Sequence, residues 1–232
     1  MAELINKKNS FAARIIRFYN GLNPDFQLPA GIEILQPYAQ PQVKPVIEHY
    51  YKRFYGGNQS KIFLFGINPG RLGGGLTGIP FTDPVQLTRL GIQHEFDQKQ
   101  ELSSAFVYSF IEAYGGIELF AKDFFLTATC PIGFTTEGKN YNYYDNPALE
   151  SATSPWIVKS LHDQIAAGAN RTIAVSIGEG SNFNYLKKVN QAEKLFDELI
   201  ALPHPRWIMQ YRRKSLPEFI DLYVQTLKRL RS

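Results

Sequence analysis

Residues 61–83 read KIFLFGINPGRLGGGLTGIPFTD, and the reading of this stretch decides the fold. Lys61–Ile67 is a short apolar run that ends in a dense cluster of glycine and proline, the pattern of a buried strand stopping at a turn. Asp123–Thr129, Arg171–Ile177 and Leu199–Pro203 carry the same signature. Between these runs, apolar residues recur at helical spacing: Leu102, Phe106, Phe110 and Ile111; then Ile157, Leu161 and Ile165; then Leu186, Val189 and Leu195. Flanking helices are predicted at Phe11–Tyr19, Val46–Phe54 and Leu216–Leu230. Strands alternating with helices predict an α/β fold with three layers, α/β/α, around a central, mostly parallel four-stranded sheet. No repeat or linker divides the chain. Residues 1–232 are therefore expected to form a single domain, with residues 1–60 a helical N-terminal extension packed on it.

Composition narrows the function classes. The 232 residues are 44% hydrophobic and 20% charged, which excludes a disordered or fibrous chain. No run approaches the ~20 apolar residues of a membrane span. The opening MAELINKKNSFAARIIRFYN has no apolar signal-peptide core, so a cytoplasmic, nucleoid-associated protein is expected. Cys130 is the only cysteine, which excludes a disulfide framework, a four-cysteine zinc site and an iron–sulfur cluster held by this chain's cysteines alone. The net charge is +4, and it is unevenly spread. Residues 204–232 hold seven Lys/Arg against Glu218 and Asp221, a net +5, so the other 203 residues sum to −1. Such a basic end suits a phosphate backbone, and equally a solvated basic helix.

In a parallel sheet the ligand crevice lies beyond the carboxyl ends of the strands. The first strand end holds Gly73, Gly75 and Gly78 at the spacing of a dinucleotide-binding loop. The context is wrong for one: these glycines start six residues past Ile67, and Pro80 stands where a helix should begin. No phosphate-loop lysine follows. The last strand end reads LPHPRWIMQYRRK over 202–214, with His204 held between two prolines and aromatics interleaved with cations. That mixture suits a loop that enters DNA and grips phosphates, or an ordinary basic turn with Trp207 packed beneath it. Gly178 and Ser181, after the third strand, form a candidate phosphate-binding helix start, or a plain cap. Residues 138–144, rich in polar aromatics, either line a nucleic-acid channel or form a surface loop. Asp83 and Glu95 are carboxylates that nothing in the sequence places together, and Cys130 reads as packing.

Taken together, Asn68-Pro69-Gly70 after one strand and His204-Pro205 after the last resemble the two signature motifs of the uracil-DNA glycosylase superfamily. The similarity is greatest to its single-strand-selective monofunctional branch, whose first motif G-M-N-P-G and following T-G-V-P-F are matched by Gly66–Gly70 and Thr77–Phe81. Phe124–Pro131 resembles that branch's F-V-H-N-L-C-P segment, so the likeness runs over about residues 60–232. It implies a glycosylase-like fold and a monofunctional DNA glycosylase. Such an enzyme excises uracil as the first step of base excision repair, with no metal and no cofactor, on single- or double-stranded DNA. Alanine at 128 frees volume for a larger ring, so hypoxanthine and xanthine are expected substrates as well, and a monomer is expected.

The resemblance implies roles as well. Asn68 positions the attacking water and His204 donates to the departing base. Phe81 stacks on the flipped base, while Ile67, Gly70 and Ala128 line its pocket. Gly178, Ser181, Arg206, Trp207, Ile208, Arg212, Arg213 and Lys214 contact DNA, with Trp207 or Ile208 as a wedge. Two positions depart from the branch. Arg206-Trp207-Ile208 replaces its S-P-R after His-Pro, and Ala128 stands where the branch has the asparagine that reads the base. Thr127, Thr129 and Asn140 are the candidates to replace that contact. A non-catalytic DNA- or nucleotide-binding module of the same fold is the competing reading.

Overall fold

A computed structural model describes residues 9–231. The first eight residues of the expected N-terminal extension lie outside the described part. The central sheet contains β2 (Lys61–Gly66), β3 (Phe124–Ala128), β6 (Ala169–Ile177) and β7 (Glu198–Leu202) in the order β3-β2-β6-β7, all parallel. Every residue of β2 and β3 is buried, including the alternate residues that point to opposite faces. Both faces of β2 and of the edge strand β3 are therefore covered, as the apolar, non-alternating runs predict.

Helix α1 (Phe11–Asn20) and helix α2 (Val43–Phe54) pack together and reach the sheet through rings. Phe11 meets Phe125 of β3 edge-on at 5.0 Å and Phe63 of β2 at 6.1 Å. Ser10 starts α1 by accepting the Ala13 N–H at 3.2 Å. The helical spacings over 102–111 and 157–165 become α5 (Leu102–Tyr114) and α7 (Pro147–Ala166). The third, 186–195, becomes α8 (Ser181–Glu193), but that helix ends before Leu195. Lys194 turns into the left-handed region at φ 54°, and Leu195 enters the core from the turn beyond it.

Two features escape the periodicity. A separate antiparallel sheet joins β1 (Glu33–Leu35), β4 (Gly133–Thr136) and β5 (Lys139–Tyr141) in the order β1-β4-β5. Its strands are three or four residues long, too short to show alternation. The β4–β5 hairpin turns through Glu137 and Gly138, both at positive φ, the geometry of the tightest hairpin loops. The second feature is α9 (Pro205–Tyr211), in the segment expected to be a loop, followed by a single 3₁₀ turn at Arg213–Ser215 and by α10 (Leu216–Arg231). Pro205 at the first helical position and His204 as the cap nucleate it. The remaining elements are a 3₁₀ turn at Pro37–Ala39 and the short helices α3 (Gly74–Thr77), α4 (Pro84–Arg89) and α6 (Ile117–Asp123).

Candidate active site

The carboxyl ends of β2 and β3 and the segment after β7 meet at a cavity of about 290 Å³. That is room for one planar heterocycle. Its floor is Gly66, Ile67, Thr127 and Ala128, and its walls carry Asn68, Gly70, Phe81, Glu101, Asn140 and His204. Asn68 and His204, far apart in sequence, thus share one pocket with Phe81, Ile67, Gly70 and Ala128, as expected.

Each of these side chains has a local reason for its place. Phe81 sits at φ 56°, an uncommon conformation for a bulky residue and one that carries strain of roughly 1–3 kcal/mol. Hydrogen bonds around it hold the turn: Thr77 Oγ1 donates to Thr82 O at 2.6 Å, and the Thr82 hydroxyl meets Tyr108 Oη at 2.9 Å. Its ring lies over Gly66, where a Cβ would stand 2.6 Å from the ring edge. Only glycine leaves that ring in place. The Asn68 amide is held at both ends, donating from Nδ2 to Tyr141 O at 3.2 Å and accepting the Tyr143 N–H at Oδ1, 3.3 Å.

His204 accepts the Arg206 backbone N–H at Nδ1, 3.1 Å. A nitrogen that accepts carries no proton, so the neutral ring holds its hydrogen on Nε2. Burial, with Arg206 adding to it, pulls His204 down to about 4. The imidazole is therefore neutral at physiological pH, a donor at Nε2 with no charge to lose. Tyr223 of α10 donates to Pro203 O at 2.6 Å and fixes the chain just before it.

The outer wall differs from the sequence reading in three ways. Ile208 is fully buried on the inner side of α9, so it packs the helix and cannot wedge a duplex. Trp207, 39% exposed, is left for that role, with Arg212 stacked over its ring at 4.8 Å and exposed Tyr211 beside it. Gly178 is buried, and its N–H donates to Leu202 O at 2.7 Å, so it is closed to a phosphate. It serves instead as a flat support for His204, whose Cδ2 would lie 3.4 Å from a Cβ there. Thr127 and Thr129 are spent elsewhere: their hydroxyls donate to Gln164 Oε1 and to Gly66 O. Ser181 is exposed at the first turn of α8, and Arg206, Arg212, Arg213 and Lys214 are exposed on the α9 side.

Sequence reasoning missed Glu101. It begins α5, its N–H donating to Asp83 Oδ2 at 2.7 Å, and its carboxyl enters the pocket against Gly70 and Gly73. Burial first and Asp83 second push it up to about 7, with Arg206 pulling the other way. Asp83, itself buried, also caps α4 through the Gln86 N–H at 2.9 Å. The meaningful carboxylate pair is thus Asp83 with Glu101, and Glu95 takes no part. No apolar period or motif marks Glu101; only the fold brings it to the pocket. Cys130 is buried and pushed up to about 12 by that burial, an inert thiol in the core.

Residues 54–228 match the family model described as the uracil DNA glycosylase superfamily. The chain belongs to that superfamily. Among solved structures, the crystal structure of wild-type SMUG2 from Pedobacter heparinus is similar at 41% sequence identity and a TM-score of 0.93. The alignment covers 96% of this chain and 98% of that one. No curated protein matches. Membership of the superfamily and this likeness support a DNA glycosylase of the uracil-DNA glycosylase type, and the departures around Ala128 and Arg206–Ile208 make it a divergent branch of the single-strand-selective monofunctional group.

Proposed function

We propose that this protein is a monofunctional glycosylase that removes uracil from DNA by hydrolysis, accepts hypoxanthine and xanthine as well, and so opens base excision repair. The observation that carries the proposal is the convergence of Asn68, Phe81 and a neutral His204 on one base-sized cavity. A base inside a duplex cannot reach such a pocket, so the nucleotide leaves the stack and its ring lies on Phe81. The bond from C1′ to the base nitrogen then breaks with its electron pair going to the base. His204 Nε2–H meets the charge that develops on the base carbonyl. A donor of this kind is worth on the order of 10²–10³ in rate. Water held by the Asn68 amide adds to the C1′ cation, and the proton it releases passes through solvent to the base anion, leaving an abasic site and the neutral free base. The amide is no base, so the reaction must be dissociative, with water joining a sugar that already carries most of the positive charge.

Ala128 widens the proposal to purines. Its methyl group leaves more room than asparagine and rejects wrong polar groups only weakly. The protein is taken to act as a monomer, with Trp207 opening the duplex and Arg206, Arg212, Arg213 and Lys214 on phosphates. The test is incubation with uracil, hypoxanthine or xanthine in single- and double-stranded oligonucleotides, followed by alkaline cleavage. Excision of uracil and at least one purine is expected. Strict uracil selectivity removes the purine claim, and intact strands throughout remove the glycosylase.

A further inference from the structure

We infer that Glu101 and Asn140 read the edge of the flipped base together, one as acceptor and one as donor, in place of the contact that Ala128 cannot make. The inference rests on the glycosylase reading above and names how that pocket selects its substrate class. Gly70 has no Cβ, and the point where one would stand lies 2.8 Å from Glu101 Oε1 and 3.1 Å from Asn140 Nδ2. An acceptor and a donor thus converge on one methyl-sized opening in the pocket wall.

Both groups are held in their orientation. Asn140 Oδ1 accepts the Arg71 N–H at 2.9 Å, which turns its NH₂ toward the cavity. Glu101 is pinned at its backbone by Asp83, and its carboxyl lies so close to Gly73 that a Cβ there would stand 2.9 Å from Cδ. The alternatives near the pocket floor are occupied. Thr127 and Thr129 donate elsewhere, and Gln164 Nε2 donates to Ala128 O at 3.3 Å.

The chemistry of this pair matches one class of base. Uracil presents a carbonyl next to a ring N–H, and so do hypoxanthine and xanthine. Cytosine and adenine present an amino group next to a bare ring nitrogen. An amide NH₂ facing the carbonyl and a carboxyl oxygen facing the N–H satisfy every deaminated base, and equally thymine and guanine, which carry the same edge. With Glu101 ionised, above about pH 7, the same pair sets donor on donor and lone pair on lone pair against an amino base, and leaves polar groups unpaired in the pocket. Mismatches of that sort discriminate strongly. The pair therefore separates bases with a carbonyl on this edge from bases with an amino group there, while the open wall at Ala128 leaves ring size free; thymine and guanine share the carbonyl edge and are not rejected by this pair.

Polarity reversal tests this. Asn140→Asp keeps the oxygen that accepts from Arg71 and replaces the donor by an acceptor; Glu101→Gln keeps the shape and offers a donor. Single-turnover excision is measured on single-stranded oligonucleotides carrying uracil, xanthine or cytosine. Each single variant is expected to lose tenfold or more on uracil and xanthine. The double variant Glu101→Gln/Asn140→Asp presents the complement of cytosine, and its cytosine-to-uracil rate ratio should exceed that of wild type at least tenfold. Should its excision be too slow to follow, relative affinity for uncleavable 2′-fluoroarabino-uridine and -cytidine oligonucleotides reads the same preference. A supporting role in the fold would lower all rates and leave that ratio unmoved. Single variants within twofold of wild type on uracil, or an unmoved ratio in the double variant, overturn the inference while leaving the glycosylase standing. A wild type inactive on every deaminated base removes the glycosylase first and the pair with it.

Discussion

The turn after β2 and the segment after β7 supply the two ends of one pocket, yet they are built on opposite principles. The first is backbone machinery. Gly66, Gly70 and Gly78 are required because side chains would strike Phe81, the pocket, or Val43 and Ile47, and at Gly78 the chain also turns through φ 75°. The second is a short amphipathic helix, α9, whose one face is sealed by Ile208 and whose other face offers Trp207, Tyr211 and the cations. A backbone turn announces itself through glycine and proline; a two-turn helix among aromatics does not.

The largest effect expected from probing this contrast is at its catalytic tips. Asn68→Ala and His204→Ala should each slow single-turnover uracil excision by about 10²-fold or more, while DNA affinity changes far less. Rates within threefold of wild type would sever both residues from the chemistry.

Next come the two faces of α9. Ile208→Ala should cost about 2–4 kcal/mol of folding stability, seen as a lower denaturant midpoint, with no preference between strand forms. Trp207→Ala should leave stability nearly unchanged and slow excision from duplex DNA several-fold more than from single strands. A Trp207→Ala variant equally active on both would leave the duplex to be opened by another residue.

A smaller effect belongs to the exposed cations. Replacing Arg212, Arg213 and Lys214 by alanine should weaken binding to all sequences alike and flatten its salt dependence by up to roughly one unit for each phosphate no longer gripped. An unchanged slope places the DNA elsewhere.

The smallest is a pH effect at His204. An unfolded histidine takes up a proton near 6.5, whereas this one resists until about pH 4. Between those values the unfolded chain binds the extra proton, so acid destabilises the fold progressively as pH falls from 6.5 towards 4. Comparing wild type with His204→Gln between pH 7 and 5 should show a shallower loss of stability in the variant. Equal slopes would mean that the ring is not held neutral.

The same contrast explains what the sequence revealed. All four strands of the central sheet were readable because each is a continuous apolar run between turn residues, and Asn68, Phe81 and His204 were readable because short motifs carry them. Ile208 was misjudged because exposure depends on which way α9 rolls against α5, information that resides in the partner helix. Gly178 was misjudged because its N–H is captured by a strand from a later part of the chain. Glu101 and Asn140 carried no local mark: one caps an ordinary helix, the other lies in a strand of three residues, and only tertiary folding sets them beside Gly70.

The double grip on Asn68 has a consequence for the timing of catalysis. A free amide side chain samples several rotamers, and freezing such a rotor when substrate arrives takes roughly 0.5–1.5 kcal/mol of ordering entropy. Tyr141, next to Asn140 in β5, and Tyr143, two residues beyond, impose that order during folding. On the mechanism proposed above, the amide that would hold the water is therefore already ordered before a nucleotide arrives.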